Sequence, residues 1–115
     1  MLICKVLESI LINNGINFTQ KINDGICNIS VKGRIDANNA DLLLEKLENA
    51  LQEEQNSILL NMSKVDYLSS IGIRVILKIF KQANEKGGSF SIEHPSEIVK
   101  NVLGILALQE MLVKN

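Results

Sequence analysis

Between Ile16 and Val113 the spacing of apolar residues changes period several times, and that alternation governs what the chain can fold into. Ile16, Phe18 and Ile22 alternate with Asn17, Thr19 and Lys21, and Cys27, Ile29 and Val31 alternate with Asn28, Ser30 and Lys32. A period of two belongs to strands with one dry and one wet face. From Ala40 to Gln52 the period lengthens, with Ala40, Leu43, Leu44, Leu47, Ala50 and Leu51 at helical spacing. Ser57–Met62 is a short apolar run and reads as a central strand, followed by a second helix over Ser70–Lys86. Ser89–Glu93 is a strand with Phe90 and Ile92 inward. Pro95 fits the first turn of a third helix, Ser96–Leu103, and Leu108–Val113 is a short fourth helical piece.

Turn residues punctuate this pattern. Asn13-Asn14-Gly15, Asn23-Asp24-Gly25 and Gly87-Gly88 are the clearest breaks, and Asp24-Gly25 predicts a hairpin between the first two strands. Gly33-Arg34-Ile35-Asp36-Ala37 reads as a turn, with Asn38 or Asn39 capping the helix after it. Strands joined through helices run parallel by right-handed crossover, while the hairpin supplies one antiparallel edge. The expected fold is therefore α/β: a single-layer mixed β-sheet of about four strands with helices on one face. The 115 residues suit a single domain, with 15–115 as core and 1–14 as an N-terminal extension. In that extension Ile3, Val6, Leu7 and Ile10 share a helical stripe. A short helix covering a sheet edge or pairing two chains through residues 1–12 is favoured, with an added strand as the alternative. Lys5 and Glu8 interrupt the apolar run, so neither a signal peptide nor membrane insertion is expected, and the chain reads as cytoplasmic.

Several chemistries are poorly supplied. A formal charge of −1 gives no electrostatic footprint for nucleic acid, and 3% aromatics leave few stacking surfaces. Cys4 and Cys27 are far apart, and the single histidine, His94, is remote from both, so no metal site, cofactor or disulfide is expected. His94 precedes Pro95 and reads as a solvated surface residue. No phosphate-cradling glycine loop, zinc-binding histidine pair or nucleophile elbow occurs, so no catalytic residue is assigned.

What remains is Tyr67-Leu68-Ser69-Ser70-Ile71-Gly72-Ile73-Arg74, two serines between a buried strand and an amphipathic helix. Serine is a favoured helix cap, and that role alone would account for one here. Projected at about 100° per residue, Gly72, Ile73, Ile76, Ile79, Phe80 and Ala83 form the buried arc of the helix. Arg74, Lys78, Lys81, Gln82 and Glu85 form its wet face. Ile71 falls on that wet face and Val75 on its border, so two β-branched groups flank the serines as a candidate contact patch.

Three segments in order resemble the STAS domains, specifically the bacterial anti-sigma factor antagonists. Val31–Ala40 is similar to the family's Gly-x-hydrophobic-Asp turn into its first helix. Leu59–Tyr67 is similar to its third strand and following loop, and Ser69–Leu77 to its switch motif. The resemblance spans about residues 16–113 and implies the same fold as the pattern above. It implies phosphorylation at Ser70, or less readily Ser69, by an anti-sigma factor serine kinase, with reversal by a PP2C-type phosphatase. The implied partner surface comprises Asp36, Asn38, Ser69, Ser70, Ile71, Gly72, Arg74 and Val75. Ser69 and Asn61 stand where the family often carries Asp. The unmodified form would bind the anti-sigma factor and so free a sigma factor, with no enzymatic activity of its own. The alternative is a non-phosphorylated STAS subunit of an ABC-type lipid-transport assembly, in which Ser70 is only a contact residue. An enzyme or small-molecule sensor, nucleotide binding included, is a third reading.

Overall fold

The computed structural model describes residues 15–52, 57–106 and 108. Along the chain run β1 (Ile16–Asn23), β2 (Ile26–Ile35), α1 (Ala40–Gln52), β3 (Ser57–Leu68), α2 (Ser70–Glu85), β4 (Phe90–Glu93) and α3 (Glu97–Ile105). The sheet has the order β1-β2-β3-β4, with β1 antiparallel to β2 and the other neighbours parallel. This is the mixed four-stranded sheet expected from the apolar pattern. No helix among the described residues is long and apolar enough to cross a membrane.

Register explains the single core. Cys27 lies opposite Ile58 and Ile29 opposite Leu60, and these two β3 residues in turn face Phe90 and Ile92 on β4. All six are buried. Since side chains alternate along a strand, one face of the sheet is apolar from β2 to β4. The helices cover it with Leu43, Leu47 and Leu51 from α1, Ile76, Ile79 and Ala83 from α2, and Val99 and Leu103 from α3. Burying aliphatic side chains of this size contributes roughly 1.5–3 kcal/mol each. The buried thiol of Cys27 belongs to this core, while Cys4 lies outside the described residues.

The structure departs from the sequence reading in several places. Gly33 is not a turn; β2 continues through it to Ile35. Its φ of +113° reverses the backbone locally, and a side chain there would collide with the carbonyl of Gly15. That carbonyl instead accepts the Arg34 amide at 2.9 Å, so glycine makes a bulge here. β3 also runs past Met62 to Leu68. Against β2 it carries two extra residues, between Asn61 and Lys64 and between Val65 and Tyr67. Those bulges change the spacing of its buried residues from two to three, at Met62, Val65 and Leu68. Asn61 does not end the strand; its Oδ1 accepts the Ser63 amide at 2.9 Å across the first bulge.

Smaller corrections follow from packing. Ile22 is exposed at the far end of the hairpin rather than inward. Val75 is buried although it projected to a border, because α1 lies against that side of α2. Lys78 and Gln82, on the same stripe, both reach Glu48 of α1. Ile73 and Phe80 are only half-buried. Pro95 precedes the cap Ser96 rather than lying within the first turn of α3. His94 is exposed as expected, with a φ of +50°. The expected helical segment at residues 1–12 lies outside the described residues, as does most of Leu108–Val113. Leu108 itself packs on the core and donates its amide to the Leu103 carbonyl at 2.8 Å.

Candidate functional site

The two serines divide the work at the start of α2. Ser69 is the N-cap, with φ −82° and ψ 168°, and its Oγ accepts the Gly72 amide at 3.1 Å. Its own amide donates to the Ile35 carbonyl at 2.9 Å, which ties the cap to the end of β2. Both polar ends of Ser69 are therefore committed to structure. Ser70 is the first residue of the helix and is exposed, and its hydroxyl has no hydrogen-bond partner among the described residues.

What surrounds Ser70 combines apolar and cationic groups. Ile71 is 42% exposed, a large aliphatic side chain held in water by the first turn. Arg74 is exposed one turn further on and pairs with no carboxylate among the described residues. Gly72 and Val75 are buried, so they contribute to this surface only from beneath. A Cβ on Gly72 would sit 2.5 Å from Cγ2 of Ile35 and 2.9 Å from Cδ1 of Leu68. Only a bare backbone lets α2 approach the ends of β2 and β3 this closely.

Asp36 follows Ile35 directly, so the Ser69–Ile35 bond brings the turn after β2 to the same end of the sheet as Ser70. Its Oδ1 accepts the Asn38 amide at 3.0 Å, and its Oδ2 lies 3.6 Å from Nε of Arg34. Much of its hydrogen-bonding capacity thus shapes the turn itself. Asn38 is exposed on that turn. Asn39, considered as a helix cap, turns back toward the strand. Its Nδ2 donates to the Arg34 carbonyl at 2.7 Å and its Oδ1 accepts the Asp36 amide at 3.0 Å. It is the buried polar side chain of the described residues and holds the turn from within.

One feature escaped the sequence. The guanidinium of Arg34 lies 4.6 Å over the ring centroid of Tyr67, and both side chains are exposed. They meet because the second bulge of β3 sets Tyr67 opposite Arg34. Nothing in the local sequence signals that pairing, since it depends on register across two strands. Among the described residues no cluster of His, Cys, Asp or Glu is arranged to hold a metal ion.

The chain and its fold have counterparts among known proteins. The STAS domain family model matches residues 17–114. The anti-sigma-B factor antagonist of Bacillus subtilis (strain 168) is 30% identical over 97 residues, covering 84% of this chain and 88% of that protein. Among solved structures, an anti-sigma factor antagonist from Mycobacterium paratuberculosis superposes with a TM-score of 0.76 at 18% identity, covering 87% of this chain and 85% of that one. The antagonist SpoIIAA in its unphosphorylated form superposes with a TM-score of 0.74, also at 18% identity, over 85% of this chain and 87% of its own. At that identity the structural likeness speaks for the fold alone.

Proposed function

Because the chain belongs to the STAS domain family, we propose that it is an anti-sigma factor antagonist switched by phosphorylation of Ser70. The observation that carries this reading is the division between the two serines. Ser69 is spent on the cap, while the Ser70 hydroxyl is exposed beside Ile71 and unbonded among the described residues. A kinase needs a hydroxyl it can reach without unfolding its substrate, and Ser70 meets that need.

In this proposal the partner is an anti-sigma factor that is also a serine kinase, met in the cytoplasm. It docks on Ile71, Ser70 and Arg74 of α2 with Asp36 and Asn38 of the neighbouring turn. Binding occupies the anti-sigma factor and so releases a sigma factor. The kinase then transfers the γ-phosphoryl group of ATP to Oγ of Ser70. A P–Oγ bond forms, the bond to the leaving ADP breaks, and the serine proton passes to a base of the kinase. A PP2C-type phosphatase hydrolyses the phosphoserine and returns the chain to its binding form.

The switch acts on the interface rather than on the fold. Phosphate adds a charge of roughly −1.5 to −2. At the N-terminus of a helix that charge is favoured by about 0.3–1 kcal/mol, so the domain stays folded. Against a partner carboxylate at ~6 Å, with an effective dielectric of ~20, each added unit costs about 2.8 kcal/mol. That is about a hundredfold in affinity for each unit, and desolvating the phosphate against Ile71 adds to it.

A pull-down with the wild type beside Ser70→Ala and Ser70→Asp tests the proposal. A kinase with an ATPase-type fold is expected on the first two baits and lost from the third. Equal capture by all three contradicts a switch at Ser70 and favours a plain contact residue.

A further inference from the structure

Arg74 stands four residues after Ser70, about one helical turn along α2. Ser70 is the first helical residue, so the spacing from Ser70 to Arg74 is a true i,i+4 relation on one face of α2. Side chains on a helix lean back toward its N-terminus, so the long arm of Arg74 can reach the turn that contains Ser70. An acidic group four residues ahead of a basic one is also the favourable order for such a pair.

Two further observations point the same way. The first turn of α2 contains no acidic residue, so the N-terminal end of its dipole lacks the usual negative complement. Arg74 in turn has a like-charged neighbour one turn on, Lys78, and only Lys78 is relieved by a carboxylate, that of Glu48 at 3.9 Å. The other nearby cation, Arg34, is already engaged with Asp36 and Tyr67. Among the described residues Arg74 is thus a cation without a counter-ion, one turn from a hydroxyl proposed to become an anion.

We propose that Arg74 is the internal counter-ion of phosphoserine 70, pairing with its phosphate oxygens across the first turn of α2. This rests on the proposed modification of Ser70 and adds to it a reason why the switch is two-sided. In the unmodified chain Arg74 is free to meet a carboxylate on the partner. In the phosphorylated chain it is drawn back to residue 70. One event therefore adds an anion to the docking surface and withdraws a cation from it.

The test needs no kinase and no partner. The full chain is made with phosphoserine incorporated at position 70 during translation, in the wild type and in Arg74→Gln, and titrated by phosphorus NMR at low salt. The second ionisation of the phosphate is expected about 0.15–0.4 pH unit lower in the wild type, because the guanidinium favours the dianion. The gap is expected to close in about 1 M salt, where such pairs are screened. Arg74→Lys is expected to retain part of the shift, as a point charge without the bidentate fork. Coincident titrations in the wild type and Arg74→Gln would overturn the pairing. That failure is distinct from failure of the switch, which is read by partner capture on Ser70→Asp with Arg74 intact.

Discussion

The amide of Ser69 donates to the carbonyl of Ile35 at 2.9 Å, so the last residue of β2 is bonded to the cap of α2. That bond fixes where the helix begins relative to the sheet. It holds Ser70 out in water on one side and aligns the Asp36 turn on the other. The proposed docking surface is therefore an assembly of two chain segments locked at one point, and substitutions should separate those that hold the lock from those proposed to face the partner.

The two serines should respond in opposite ways. Ser69→Ala removes the acceptor for the Gly72 amide and is expected to cost about 1 kcal/mol, read as a lower urea midpoint. Ser70→Ala removes a hydroxyl that bonds to nothing among the described residues and is expected to change stability by less than about 0.5 kcal/mol. A larger loss at Ser70 than at Ser69 would mean that the roles are exchanged.

Gly72→Ala should destabilise despite alanine's better helix propensity. The added methyl would meet Cγ2 of Ile35 at 2.5 Å, on a branched side chain that is itself fully buried. Overpacking of this kind costs about 1–3 kcal/mol, against about 1 kcal/mol gained in propensity. A net loss of about 1 kcal/mol in denaturant unfolding is expected, with weaker partner capture because α2 must shift from β2.

Asn39→Ala should be costly for a residue in a turn. It strands the Arg34 carbonyl and the Asp36 amide, both now served by a buried side chain. An expected loss of about 2 kcal/mol follows from leaving such groups unpaired. Asn39→Asp should be at least as damaging, because it keeps the acceptor but loses the donor and buries a charge.

Arg34 and Tyr67 form a coupled pair. A double-mutant cycle with Arg34→Ala and Tyr67→Ala should give a coupling of about 0.5–1 kcal/mol, typical of an exposed cation over a ring. Strict additivity would show that the stacking contributes nothing.

How much of this was legible depended on the distance over which each feature is decided. Alternation in Cys27–Val31 and helical spacing in Ala40–Leu51 are local, and both survived in the structure. Ile71 also read correctly as exposed, since projection on a helix needs no partner element. The extension of β3 was missed because its bulges, which are set by pairing with β2, turn a period of two into three and imitate a loop. Gly33 misled for a related reason: a positive φ serves a bulge as well as a turn. Val75 depended on where α1 lies, and the Arg34–Tyr67 contact on register, neither of which one segment encodes. The choice between Ser69 and Ser70 as cap was likewise open, because both residue types suit the role and one extended backbone decides it.

The central claim is that an anion at residue 70 breaks the interface while leaving the fold intact. Its most direct measurement is the affinity of the captured kinase for the unmodified chain and for the chain carrying phosphate at Ser70, with unfolding curves recorded for both. Binding of the phosphorylated form is expected to be weaker by at least about a hundredfold, at unchanged or slightly raised stability. Equal affinities, or a loss of binding that tracks a loss of folded protein, would contradict it.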